Sequence, residues 1–116
     1  MLIPEDVQVH LYCGITDMRK SINTLAILVH EVFGMRLEAG HLFLFRSRGG
    51  DKLKALYYEE QSFTLWYRRL EKGKFIFPRN TQGHIELTKA HLNWLMASNK
   101  YTFHQGENLE IYRDFH

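Results

Sequence analysis

Apolar and polar residues alternate over Val7-Gln8-Val9-His10-Leu11-Tyr12-Cys13, the period of two that suits a half-buried strand, and Gly14 ends it. The period then lengthens. Met18, Ile22, Leu25, Leu28, Val29, Val32 and Phe33 recur at three- and four-residue spacing, which predicts an amphipathic helix over about 17–33. Thr16 or Asp17 would cap its start, because a side-chain oxygen there can accept the free amides of the first turn. Gly34 supplies a left-handed stop.

Beyond the helix the strand period returns. His41-Leu42-Phe43-Leu44-Phe45-Arg46 reads as a largely buried strand, and Ser47-Arg48-Gly49-Gly50-Asp51 as a turn. Lys52-Leu53-Lys54-Ala55-Leu56-Tyr57-Tyr58 pairs back as a hairpin. A polar turn at Glu59-Glu60-Gln61-Ser62 leads to a third strand, Phe63-Thr64-Leu65-Trp66-Tyr67-Arg68-Arg69-Leu70. After Glu71-Lys72-Gly73-Lys74, the stretch Phe75-Ile76-Phe77 extends to Pro78, and Ile85-Glu86-Leu87 reads as a short edge strand. Thr88 then caps a helix over about 89–98 with Leu92, Leu95 and Met96 inward. The expected fold is α+β: an antiparallel meander of about four to five strands, with one long N-terminal helix packed on one face and a shorter C-terminal helix. The expected division is a single domain over 1–99 and a tail over 100–116. The tail alternates weakly around Leu109-Glu110-Ile111-Tyr112, as an added strand or an interaction arm would.

Composition narrows the class. The chain has 116 residues, 45% hydrophobic and 24% charged, which excludes a disordered chain or a collagen-like fibre. No apolar run approaches a membrane span. Met1-Leu2-Ile3-Pro4-Glu5-Asp6 lacks the pattern of a secretion signal, and the lone Cys13 permits no intrachain disulfide, so a cytoplasmic setting with no membrane partner is expected.

The net charge of +2 is mild, but its distribution is uneven. Arg46, Arg48, Lys52, Lys54, Arg68, Arg69, Lys72, Lys74 and Arg79 lie in one third of the chain against Asp51, Glu59, Glu60 and Glu71, nine bases to four acids. If the 59–62 turn sets Tyr58 opposite Phe63, then Lys54 faces Tyr67 and Lys52 faces Arg69. Opposed cations repel unless an anion lies between them. Bases interleaved with Tyr58, Trp66 and Tyr67 suit phosphate binding and base stacking, and these nine residues are the candidate DNA contacts. The plainer alternative is a solvated outer face with gatekeeper lysines.

Other chemistry is sparse. None of the seven histidines (His10, His30, His41, His84, His91, His104 and His116) forms an HxxxH or HExxH pair, and Cys13 has no CxxC partner. The residues therefore suggest neither a metal nor a cofactor. Cys13, beside His10, reads as a small core residue rather than a nucleophile. No carboxylate set converges as metal-assisted phosphoryl chemistry would need, so no catalytic residue and no enzyme is expected.

Three stretches carry a family resemblance. Gly14-Ile15-Thr16-Asp17-Met18-Arg19-Lys20 has the form G-x-T-D-M-R-K. It is followed by Gly40-His41-Leu42-Phe43-Leu44-Phe45-Arg46 and by Tyr67-Arg68-Arg69-Leu70-Glu71-Lys72-Gly73-Lys74-Phe75, ending at Pro78. In order and spacing the chain resembles, over about 5–78, the TnpB-type (second reading frame, Orf2-like) accessory proteins of the IS66 class of bacterial insertion sequences. Ser21 and Asn23 stand where such proteins often carry glycines, and Tyr57 to Ser62 where they often carry Trp-Asp and Gly. The resemblance implies a non-catalytic accessory role in DNA transposition, beside a separate transposase that cuts and joins strands. Two expectations follow. One is DNA binding through a basic sheet face. The other is a protein-interaction module, with Asp17, Arg19, Lys20 and the tail docking on the transposase or another protein of the element without direct DNA contact.

Overall fold

The computed structural model describes residues 6–78 and 82–97. Arg79, His104, His116 and the whole 100–116 tail therefore lie outside the described residues. The element order is β1 (Gln8–Ile15), α1 (Ile22–Phe33), β2 (His41–Arg46), β3 (Lys52–Glu59), β4 (Ser62–Arg69), β5 (His84–Leu87) and α2 (Lys89–Met96). The strands form one five-stranded sheet in the order β4-β3-β2-β1-β5. No described helix is long and apolar enough to cross a membrane.

The antiparallel meander is corrected by this topology. β1 and β2 pair in parallel, with Gln8 opposite His41 and Leu11 opposite Leu44, so the sheet is mixed. Parallel neighbours need a crossover, and α1 supplies it. The helix is also shorter than expected, 12 residues rather than a long element from 17. Its N-cap is Ser21, whose backbone N–H donates to Thr24 Oγ1 at 2.9 Å. Neither Thr16 nor Asp17 caps it, because both are taken up in a loop between β1 and α1. Gly34 ends α1 in the left-handed region at φ 64°, its N–H bonded to the His30 carbonyl. Phe75-Ile76-Phe77 is not a strand; Phe75 is buried from a loop, with Phe77 beside it. β5 pairs antiparallel with β1 and reaches only from Val9 to Tyr12.

Two apolar layers sandwich the sheet. On one side Leu25, Val29 and Phe33 of α1 cover Phe43, Phe45 and Leu56. On the other, Leu92 and Leu95 of α2, with Leu70 and Phe75, cover Val9, Leu11, Leu42, Leu44, Leu53 and Ala55. β2 is thus buried on both faces, which explains its unbroken apolar run. The β3–β4 pairing follows the expected register: Tyr58 opposite Phe63, Lys54 opposite Tyr67, Lys52 opposite Arg69.

The end of the sheet where β1 and β2 begin carries a histidine cluster. His10 is buried, its Nε2 lies 2.9 Å from His41 Nδ1, and its ring stacks on Phe43. Glu86 sits opposite it on β5, the His84 ring meets Phe33 of α1, and Glu38 of the preceding loop reaches His41. Burial first, then the neighbouring His41, hold His10 below its ordinary 6.5, with Glu86 opposing. A proton is therefore bound more readily by the unfolded chain than by the folded one. This contribution to stability is complete above pH 6.5 and is lost as the pH falls below it. The melting temperature is expected to be higher at about pH 7.5 than at about pH 5.5. The His10→Gln variant should show a smaller difference in paired thermal scans.

Candidate functional site

Strand direction brings the carboxyl ends of β1 and β2 together with the start of β3 and the end of β4. Three loops meet there: 16–21, the Ser47–Asp51 turn and the segment after β4. The Ser47 N–H donates to the Lys52 carbonyl at 3.1 Å, and Ser47 Oγ accepts from the Lys52 N–H at 3.1 Å. The Leu70 N–H donates to the Asp51 carbonyl and the Phe75 N–H to that of Gly50, both at 2.8 Å. Gly50 needs its glycine because φ is 77°, a left-handed conformation that other residues adopt only with strain.

The candidate bases do not share one face of the sheet. Arg46 and Arg68 both lie opposite Leu53, on the α2 side, whereas Lys52, Lys54 and Arg69 project to the α1 side. The expectation of a single basic sheet face is corrected accordingly, since neighbouring strand residues alternate sides. The bases gather instead at one end. Among the described residues Arg19, Lys20, Arg46, Arg48, Lys52, Arg68, Arg69, Lys72 and Lys74 meet there with Asp17, Asp51 and Glu71, nine bases to three acids. At the far end, among the described residues, Asp6, Glu31, Glu38, Glu59, Glu60 and Glu86 face Arg36 and Lys89. The charges are therefore sorted along the strand axis.

The members have different roles. Lys54 is buried, and its Nζ donates to the Met18 carbonyl at 2.8 Å and the Lys20 carbonyl at 2.6 Å, above the Tyr67 ring. It fastens the 16–21 loop to the sheet and offers nothing to a ligand outside. Lys52 Nζ pairs with Asp51 at 3.3 Å. Asp17 accepts from the Arg19 N–H and guanidinium, with Arg19 Nη2 at 2.6 Å, which holds its carboxyl well below the usual range. This clasp stands in solvent, with the Arg19 side chain 91% exposed. Among the described residues no carboxylate pairs with Arg48, Arg68, Arg69, Lys72 or Lys74.

Two shallow depressions flank the Ser47–Gly49 segment, one reaching Thr16 and Lys52, the other Arg46, Lys74 and Phe77. Thr16 is buried, and its hydroxyl makes no hydrogen bond with the described residues; neither does the buried Nε of Arg46, whose guanidinium lies over Phe77. Sequence reasoning missed both groups, taking Thr16 for a cap and Arg46 for one of many cations. Uncommitted buried donors at the carboxyl ends of parallel strands are where an open α/β sheet ordinarily holds a ligand.

Cys13 is buried, and burial pushes its thiol up, away from the thiolate a nucleophile needs. Among the described residues no three His, Cys, Asp or Glu side chains gather as metal ligands would.

The family model described as IS66 Orf2-like protein matches residues 7–105. An uncharacterized protein of Sinorhizobium fredii (strain NBRC 101917 / NGR234), y4hO, is 36% identical over 93 residues, covering 80% of this chain and 81% of that protein. A second, y4jC, also uncharacterized and from the same organism, is 30% identical over 86 residues, covering 74% of each. No solved structure matches the chain. The family model spans every described element and the whole basic end. The chain belongs to the IS66 Orf2-like family, which ties it to the transposition of insertion sequences.

Proposed function

We propose that the chain is a non-catalytic accessory factor of transposition that holds DNA phosphates at its basic end. One observation carries the reading: cations without carboxylate partners among the described residues surround two buried donors, Thr16 Oγ1 and Arg46 Nε, at the carboxyl ends of the parallel strands. Arg48, Arg69 and Lys74 are the contacts expected to carry affinity, with Arg46, Arg68 and Lys72 around them. Lys54 leaves the contact set because its ammonium is committed to the loop. Contacts of this kind position DNA without choosing its sequence.

The test is an anisotropy titration against duplexes of element-end and scrambled sequence over a range of salt. Each phosphate contact contributes a slope of about −0.9 in log affinity against log salt. The Arg48→Ala/Arg69→Ala/Lys74→Ala variant should therefore flatten the slope by about 2–3 for both duplexes. An unchanged slope would remove the basic end from the reading.

A second reading is favoured by the exposed Asp17–Arg19 clasp. A pre-formed ion pair on a loop tied down by Lys54 suits docking on the transposase through Asp17, Arg19 and Lys20. Retention of the transposase by the tagged chain from nuclease-treated extract, without a mobility shift on naked DNA, would select this reading instead.

A further inference from the structure

The two edges of the sheet differ. The β5 edge is four residues long, whereas β4 presents eight residues in unbroken register with β3, without proline or bulge. Natural edges of that length are ordinarily blunted, because unpaired N–H and C=O groups invite another strand. The β3–β4 turn shows which groups have no strand partner among the described residues. Glu60 and Gln61 have φ of 51° and 59°, the two-residue turn with both central residues left-handed, closed by the Glu59–Ser62 pair. Alternation from Ser62 turns the backbone groups of Phe63, Leu65, Tyr67 and Arg69 outward. Phe63 and Tyr67 are also the two exposed large apolar side chains of this strand, at 53% and 48%.

We propose that this edge joins a second copy of the same chain, β4 against β4, antiparallel, in one continuous sheet. The sorting of charge along the strands selects that occupant. An antiparallel two-fold sets the acidic β3–β4 turn of each copy, with Glu59 and Glu60, beside Arg68 and Arg69 of the other, and it does so twice. With Leu65 on the axis, the outward backbone groups meet as hydrogen-bonded pairs, and Phe63 of each copy lies opposite Tyr67 of the other. Thr64 lies opposite Trp66, and Ser62 opposite Arg68, so no two like charges are directly opposed. A parallel pairing would bring like ends together and fails on charge alone.

The test is sedimentation velocity on the full chain in DNA-free buffer. The expected result is a dimer populated at roughly 100 µM chain, weakening as salt rises. Phe63→Pro removes an outward N–H together with the ring that meets Tyr58 and would face Tyr67 of the other copy, and should weaken self-association at least about tenfold. Charge variants provide a check that does not depend on proline. Glu59→Lys/Glu60→Lys and Arg68→Glu/Arg69→Glu, each folded by circular dichroism, should each be monomeric alone and form a heterodimer when mixed. A wild-type chain that stays monomeric at that concentration would overturn the proposal, as would a mixture of the two charge variants that does not associate.

Discussion

Replacing Phe43 by Ala is expected to lower the unfolding free energy by about 3–5 kcal/mol, the largest single loss in this fold. Phe43 is fully buried at the centre of the sheet, on β2, which carries an apolar layer on each side. Its ring meets Phe33 edge-on at 4.9 Å and stacks on His10 at 5.0 Å. The cavity left by Ala would be lined by side chains of α1, β1 and β3, elements held in place by their own ladders and helix bonds, so the walls cannot collapse inward. Urea unfolding followed by circular dichroism measures the loss. A cost below about 1.5 kcal/mol would mean that α1 shifts to refill the space, and that the crossover helix is more loosely seated than its burial indicates.

Lys54→Met is expected to cost about 3 kcal/mol. Met keeps the length and much of the volume of the lysine stem, so the loss reports on the ammonium. The Met18 and Lys20 carbonyls would lose their donor, the hydrogen bonds at 2.8 and 2.6 Å being charge-assisted ones, and the position over Tyr67 would be empty. The damage should be local as well as global. Amides over 16–21 should exchange with solvent much faster than those of β3, and hydrogen exchange by mass spectrometry separates the two. An apolar residue could have been welcome in this place, as replacement of buried ions sometimes shows, but here the acceptors are main-chain carbonyls that remain behind. A Met variant as stable as wild type would show those carbonyls solvated and the loop free to move.

The contrast between Lys54 and its neighbours shows what periodicity can and cannot supply. Counting outward from the 59–62 turn yields the β3–β4 register correctly, because a two-residue turn fixes pairing by arithmetic. The stripe from Ile22 to Phe33, Gly34 as its stop and Thr88 as a cap are likewise local signals, visible because each acts within one turn of helix. The parallel pairing of β1 with β2 is not local. Nothing in His41-Leu42-Phe43-Leu44-Phe45-Arg46 names its neighbour, although an apolar run without alternation after a strand and a helix is the trace a βα-crossover leaves. The spacing sets the start of α1 too early because Met18 continues it, yet residues 16–20 form the loop over Lys54.

The candidate site was legible as composition but not as geometry. Arg68 and Arg69 are adjacent on one strand and so must point to opposite sides, a consequence of the pleat that a count of charges ignores. What unites the bases is the end of the sheet to which their strands run, and that depends on topology. Lys54 differs from Lys52 by one strand repeat, but only the fold shows that a loop lies above it. Thr16 shows the same limit from the other direction, since an unpaired hydroxyl is a property of its surroundings.

The sorting of acids and bases to opposite tips of the described fold gives a single copy an electric moment along its strands, which an antiparallel pair would cancel. A strand of eight residues at about 3.3 Å per residue spans roughly 26 Å, longer than the ~10 Å over which salt at 0.1 M screens a charge. One tip can therefore feel a polyanion's field while the other does not. Near such a surface an unpaired copy experiences a torque as well as a pull, and it turns its cationic tip forward before any atom touches, whereas the paired form would feel only the pull.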